Sequence, residues 1–404
     1  MNQADVIIIG AGISGLSAAI ALEKAGVKYE IIDKSDRPGG RIRTIQKDGF
    51  TLDYGFQVIH PNYEEVRESG VWESLDFRSF HSGAIFCKEK SLRWYRNPFL
   101  DVKGFIKSRF SSPFPLKETA SALRIFHDAW RSDEDFWKLA FEQDCMSYLK
   151  NRGFGDETIK NFFVPFFGGV FLDKSLGAGK HYFLWLLKKF MAGRPGIPKG
   201  GMQSLPFGLA AQLPADRKFH FGTYIQAIED SVVFARDGRR FKGKYIIDAA
   251  GLEMPSQVKF NSTRNIYLTG PFSDNLPNAL LLNGNHDGEI MHFCFPSALH
   301  PSHAPEGKSL VSVTMKNPGT EISTANILQE LAYLYPHIDW KKWEMVETFF
   351  IREAVPSYIN SISSLYQSKG NIYRCGDVYS YPSMNGAMRS GREAAEEIIK
   401  KLKS

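Results

Sequence analysis

Hydrophobic positions change their period twice within the first 33 residues. Asp5 to Ile9 is a short β-branched run with four apolar residues in succession, which predicts a buried strand. It runs straight into Gly10-Ala11-Gly12-Ile13-Ser14-Gly15. Leu16, Ala19, Ile20 and Leu22 to Ala25 then recur at helical spacing, and Gly26 is placed to end that helix. Tyr29 to Ile32 predicts a second strand ending in Asp33. Strand, glycine turn, helix and strand follow in order, with an acid 18 residues past the third glycine.

A related pattern closes the chain. Asn371 to Arg374 is strand-like and runs into Cys375-Gly376-Asp377. Tyr381 to Gly391 then opens a helix whose apolar stripe is Ala394, Ala395, Ile398, Ile399 and Leu402. Two mid-chain strands are predicted, Lys218 to Ile225 and Tyr245 to Ala250, the latter ending at Gly251. The remainder reads differently. Phe136 to Leu149, Asp156 to Phe163 and Lys180 to Phe190 have helical spacing, so the first insert is expected to be mostly helical. Asn161 to Phe171 is aromatic almost throughout: helix-packing core, or the wall of a lipophilic tunnel. Asn265 to Thr269, Glu289 to Phe295 and Lys308 to Met315 look like strands, with a helix near Ile327 to Leu334. The expected fold class is α/β. A Rossmann-like, NAD(P)-binding-like domain with a parallel sheet would comprise 1–75, 195–255 and 354–404. An α+β substrate domain would be inserted as 76–194 and 256–353.

Composition sets limits. A chain of 404 residues is long for one core, and 43% hydrophobic with 23% charged residues excludes wholesale disorder. Cys87, Cys145, Cys294 and Cys375 form no C-x-x-C pair, which argues against disulfide, zinc and dithiol chemistry and fits a reducing, cytoplasmic setting. His300-x-x-His303 lies among prolines and reads as a loop, so no metal is expected. The N-terminus lacks the basic region of a targeting signal, and no apolar run reaches the ~18–20 residues of a membrane span. The net charge of +6 is localised: ten Lys/Arg and four acids lie between Lys88 and Arg131, interleaved with Trp94, Tyr95, Phe99, Phe105, Phe110, Phe114, Phe126 and Trp130. No nucleic-acid module accompanies them, so nucleic acid is not an expected partner. Residues 88–131 suit peripheral contact with an anionic membrane surface, or form a solvated face over helices whose aromatics are core.

The glycines have chemical work. Gly10 permits a tight turn. Gly12 lacks a Cβ, so a pyrophosphate can approach backbone N–H groups at the positive end of the helix, and Gly15 lets helix and strand pack closely. Asp33 can accept hydrogen bonds from ribose hydroxyls, and its charge repels a 2′-phosphate, which argues against NADP. Asp36-Arg37-Pro38-Gly39-Gly40-Arg41-Ile42-Arg43-Thr44 adds another close backbone approach and a guanidinium fork. Leu52-Asp53-Tyr54-Gly55-Phe56-Gln57 adds a polar-aromatic turn. An NAD domain needs neither. Gly376-Asp377 can set a carboxylate on a ribityl hydroxyl. The helix start at Asn385-Gly386-Ala387 can aim its dipole where a flavin gains negative charge on reduction.

Together these motifs resemble the FAD site of the amine oxidase, phytoene desaturase and protoporphyrinogen oxidase superfamily, over about 1–65, 195–255 and 354–404. Pro198 to Pro206 is similar to the family's P-x-G-G-M segment. Ser383 to Gly391 is closest to carotenoid-type desaturases, in which Glu is usual where Asn385 stands here. The resemblance implies non-covalent FAD held by Gly10, Gly12, Ile13, Ser14, Gly15, Asp33 and Lys34; by Gly40, Arg41, Gly55, Phe56 and Gln57; by Ile225, Ala250 and Gly251; and by Gly376, Asp377, Asn385, Gly386 and Ala387. It also implies an FAD-dependent oxidoreductase, desaturase- or dehydrogenase-like, that takes a hydride from a hydrophobic organic substrate onto flavin N5. No second G-x-G-x-x-G follows a strand, so electrons are expected to leave to oxygen, a quinone or another diffusible acceptor. Amine oxidases of the superfamily place a Lys near N5, whereas Thr263 to Thr269 carries Arg264; they often have an aromatic where Ser383 stands. Both departures weigh against amine oxidation with peroxide release, which stays an alternative alongside a non-catalytic flavin-binding scaffold. No catalytic acid or base is assigned. Phe56, Gln57, His60, Tyr379 and Tyr381 are candidate pocket residues.

Overall fold

The computed structural model describes residues 4–108, 115–252, 254, 258–285, 288–316, 319, 322–357 and 364–404; Arg109, Phe110 and Phe114 of the basic stretch lie outside them. The fold is α/β. Strand Ala4–Ile9 lies inside an eight-stranded sheet, parallel to Tyr29–Ile32 on one side and to Arg240–Asp248 on the other. Phe219–His220 extends the sheet beyond Tyr29–Ile32, and Ile372–Arg374 pairs parallel with the end of Arg240–Asp248. Four of the six residues of Ala4–Ile9 are consecutive, fully buried β-branched or aliphatic side chains, as a parallel strand covered on both faces requires. Helix Ile13–Lys24 covers one face and packs against the C-terminal helix Met384–Lys403. That approach depends on glycine: a Cβ on Gly15 would stand 1.9 Å from the Gly10 carbonyl oxygen, and one on Gly391 would stand 1.9 Å from the Ser14 carbonyl oxygen.

A second, seven-stranded sheet runs in the order Glu344–Pro356, Phe260–Pro271, Lys308–Met315, Ile290–Cys294, Leu281–Asn283, Ala84–Lys88, Ser91–Tyr95. It is antiparallel except where Leu281–Asn283 meets Ala84–Lys88. Strand Glu344–Pro356 crosses residue 354 without a break, so the last of the expected segments starts inside this sheet. Helices Thr119–Trp130, Cys145–Asn151, Val164–Phe171 and Lys180–Ala192 build an aromatic layer beside it.

Two expectations need correction. Phe136 to Leu149 is not one helix. Phe136–Lys138 is a single tight turn, and the chain then extends until Asp144, whose carboxylate caps Cys145–Asn151 by accepting from the Ser147 N–H at 2.6 Å. Lys218 to Ile225 is not one strand. Gly222, at φ +64°, turns the chain between Phe219–His220 and Ile225–Glu229. The first insert is mostly helical, as expected, and adds a hairpin of Ala84–Lys88 and Ser91–Tyr95 whose turn residues Glu89 and Lys90 both take positive φ without being glycine. The aromatic run resolves into one helical path with two faces. Asp156 to Phe171 winds continuously, through a wider π turn at Ile159–Phe163. It buries Phe163, Phe167 and Phe171 and leaves Phe162 and Phe166 half-buried on the other side.

Candidate functional site

The two glycine segments meet at the N-terminus of helix Ile13–Lys24. Gly12 and Gly39 pair as a parallel bridge, and the Gly39 N–H donates to the Ala11 carbonyl at 2.9 Å. A Cβ on Gly12 would meet nothing closer than the Gly40 Cα at 3.9 Å, so its absence leaves an open notch lined by backbone. Gly10, at φ +102°, lies 3.1 Å by the same measure from the backbone that follows strand Arg240–Asp248. Notch, helix start and backbone walls suit a pyrophosphate. Asp33 is buried at the end of its strand. One of its oxygens accepts from the Ala11 N–H at 2.6 Å and the other from the Ser35 N–H at 2.7 Å, so it ties the glycine turn to its own strand end. The Thr223 N–H donates to the Asp33 carbonyl, which brings the segment leading to Ile225 alongside. Lys34 is exposed next to it; Ile13 is buried, and the Ser14 hydroxyl is engaged with Cys375 Sγ at 3.3 Å. Ala250 and Gly251 occupy a turn held by the Asp248 carboxylate, which accepts from their two N–H groups and from Leu252, each at 3.0 Å.

Below the Gly39–Thr44 loop lies a polar node that sequence reasoning missed. Thr44 Oγ1 donates to Asp53 at 2.6 Å, the Met202 N–H donates to the same oxygen at 2.8 Å, and the Gln203 side chain joins Thr44 N–H to the Pro38 carbonyl. Burial pushes the Asp53 carboxyl up to about 6. The G-G-M-Q stretch therefore braces the G-G-R loop from below. On the loop's far side Arg41 pairs with Asp377 and donates to the Ala354 carbonyl. Gly376 takes φ +132° directly before that aspartate. The Asn385 side chain turns elsewhere: its carbonyl accepts from the Glu65 N–H at 3.0 Å, and its amide faces Glu64 and the Tyr381 hydroxyl. Only the backbone of the Asn385-Gly386-Ala387 helix start is thus left for the role expected of it. That start is capped by Ser383, which accepts from the Gly386 N–H.

From Arg41, Gly55, Phe56 and Gln57 a cavity of about 1240 Å³ opens between the seven-stranded sheet and the aromatic helices. Phe80, Phe86, Phe162, Phe166 and Phe190 are among its walls. No Asp, Glu or Lys is among the described residues that line it. Three candidate pocket residues lie off these walls. Tyr381 is buried against Phe136 and Trp185, Tyr379 is buried, and His60 is packed between Tyr63 and Phe190. Burial, with the Lys189 charge, holds the His60 imidazole down to about 4. Two histidines do line the cavity: His81, which is exposed, and the buried His292 on strand Ile290–Cys294, neither of which the sequence singles out because their neighbours in space are remote in the chain. His300 and His303 stack on each other and bond to the carbonyls of Ile197 and Lys199. Lys316 follows the end of its strand and donates to the Asn285 carbonyl.

Residues 13–399 match the family described as flavin containing amine oxidoreductase. A 4,4'-diapolycopene oxygenase of Methylomonas sp is 48% identical over 79 residues, which span 19% of this chain and 16% of that protein. The coproporphyrinogen III oxidase of Staphylococcus aureus is 22% identical over 98% of this chain and 99% of its own length. In structure, the cyclohexylamine oxidase of Brevibacterium oxydans superimposes over 100% of both chains with a TM-score of 0.70 at 18% identity, a likeness of fold.

Proposed function

Because this chain belongs to the flavin containing amine oxidoreductase family, we propose that it is an FAD-dependent oxidoreductase taking a hydride from a largely apolar organic substrate. The cavity carries this reading: aromatic and aliphatic side chains surround about 1240 Å³ that begins at Phe56 and Gln57. Bound FAD supplies the hydride acceptor. The chain's own residues hold and orient. In this reading the eight-stranded sheet carries the cofactor: Gly12 and Gly40 clear room for the pyrophosphate, Asp33 receives the ribose, and the Arg41–Asp377 pair borders the flavin end. The seven-stranded sheet and the aromatic helices form the substrate side and exclude water from the reacting carbon. A cationic amine would enter a space without a carboxylate to receive it, which favours desaturation or dehydrogenation over amine oxidation. Oxygen, a quinone or another diffusible molecule is the electron acceptor. The test is direct: purified protein should be yellow, release FAD on denaturation, and bleach anaerobically with lipophilic polyenes or porphyrinogens rather than with amines. Colourless protein that cannot be reconstituted, or peroxide released from simple amines, would overturn this reading.

The cavity mouth supports peripheral contact with an anionic membrane surface. Phe99, Ile106, Leu116 (87% exposed) and Leu123 are exposed and also line the cavity, and Lys103, Lys107, Lys117, Arg124 and Arg131 are exposed on helices Val102–Ser108 and Thr119–Trp130 or beside them. No helix among the described residues is long and apolar enough to cross a membrane. Co-sedimentation with anionic vesicles should fall at least tenfold when Lys103, Lys107 and Arg124 become Glu. Unchanged binding rejects the contact.

A further inference from the structure

The cavity wall is mostly apolar, with Arg41, Arg96 and Arg194 its cationic groups, and three of its polar residues have buried polar atoms with no hydrogen-bond partner among the described residues: Gln57 Oε1, Ser82 Oγ and both ring nitrogens of His292. His292 is the most enclosed of its cavity's titratable groups, at 4% exposure. Its strand, Ile290–Cys294, is buried throughout, and His292 sits opposite Leu282 and Thr314 in the sheet. The Thr314 hydroxyl is spent on Asn265 Oδ1 at 3.1 Å. The Phe56 ring meets the imidazole edge-on with centroids 5.1 Å apart. On another side stands Gly169, where a Cβ would come 3.0 Å from His292 Nδ1, so the glycine leaves room for the ring. The imidazole is therefore packed between the Leu52–Gln57 turn and the aromatic helix at the border of the cavity, and its two buried nitrogens have no hydrogen-bond partner among the described residues. Buried polar groups are nearly always paired, and the aromatic and glycine neighbours of this ring offer it no hydrogen bond.

We propose that His292 is a polar anchor of the cavity, hydrogen-bonding the hydroxyl or carbonyl of an otherwise largely apolar substrate. This rests on the reading of the cavity as the substrate site. A neutral imidazole has one donor and one acceptor, so it serves either group. Burial holds it neutral, down to about 4.

Three probes of matched size test this on the FAD-loaded protein at pH 7: 2-naphthol, 2-acetylnaphthalene and 2-methylnaphthalene, titrated by fluorescence. One neutral hydrogen bond corresponds to roughly fivefold in affinity. The two polar probes should bind about fivefold tighter than 2-methylnaphthalene. His292→Phe should erase that preference, His292→Gln should keep most of it, and the exposed-site control His127→Phe should leave it intact. In wild-type protein carrying ¹⁵N-histidine, 2-naphthol should shift one buried imidazole and 2-methylnaphthalene should not, which needs no variant. Equal binding of all three probes by the wild type, as expected if solvent alone satisfies the ring, overturns the proposal. So does a preference that survives in His292→Phe. FAD content read on every sample separates the failures: colourless wild-type protein refutes the oxidoreductase reading, whereas yellow protein indifferent to residue 292 refutes only the anchor.

Discussion

The glycine-built region around Gly10–Gly15 and Gly39–Gly40 and the phenylalanine-built region around the cavity are shaped by opposite means. In the first, binding surface is backbone, exposed because side chains are missing: Gly12 leaves a notch and Gly15 and Gly391 allow contact no Cβ would permit. In the second, the surface is side chain, and Phe162, Phe166 and Phe190 enclose a volume the backbone alone would leave open. A backbone site tolerates almost no added atom. A side-chain cavity tolerates change of shape but depends on every large ring for its stability.

The largest expected contrast is Gly12→Glu. A side chain at that open notch should leave the fold intact, since a Cβ there has no neighbour within 3.9 Å, yet the carboxylate would fill and repel the pyrophosphate position. FAD retention should drop ~100-fold or more while the circular dichroism spectrum is kept. Yellow Gly12→Glu protein would break the distinction. Phe167→Ala should do the reverse. Phe167 is 1% exposed and its ring lies 4.7 Å from Phe183 and 5.0 Å from Phe166, so truncation should cost about 3–5 kcal/mol in denaturant unfolding with FAD stoichiometry unchanged.

A smaller effect should appear with pH. His60, His292 and His303 are held down to about 4 by burial, so each is neutral in the folded protein where an unfolded imidazole near 6.5 would gain a proton. Their contribution is fully present above about 6.5 and is lost as pH falls toward 4, by up to about 3 kcal/mol each. Asp53, pushed up to about 6, acts in the opposite sense between about 4 and 6. Three imidazoles outweigh one carboxyl, so Tm should rise from pH 5 to pH 7. The rise should shrink in His303→Gln, which keeps a donor for the Lys199 carbonyl and has no proton to gain. A Tm that is flat or falling over that range would contradict the assignment.

Legibility follows the same division. The strands Ala4–Ile9, Tyr29–Ile32 and Lys308–Met315 and the helix Lys180–Ala192 could be read from apolar spacing because each buries a regular face. Phe136 to Leu149 could not. Its helical spacing hid the Asp144 cap and the Cys145 N–H bond to the Ala178 carbonyl, both of which hold the chain extended just before the helix. Asp53, Gln203 and Asp248 went unassigned because most of their partners are backbone groups in turns, which carry no residue-type signal. The Asn385 position was legible, but its side-chain direction was set by Glu64 and Glu65, 320 residues away.

By itself the sequence determined that a strand, a glycine turn and a helix stand in register for a dinucleotide, and that a second set of glycines follows. That information is local, because missing Cβ atoms and positive φ angles are properties of single positions. Only the tertiary structure decided that the aromatic run borders a cavity as well as the core, that His60, Tyr379 and Tyr381 stand off that cavity, and that His292 borders it. Those outcomes depend on which remote side chains fill the space around each residue, and packing between strands and helices 100 or more residues apart leaves no periodic trace in the chain.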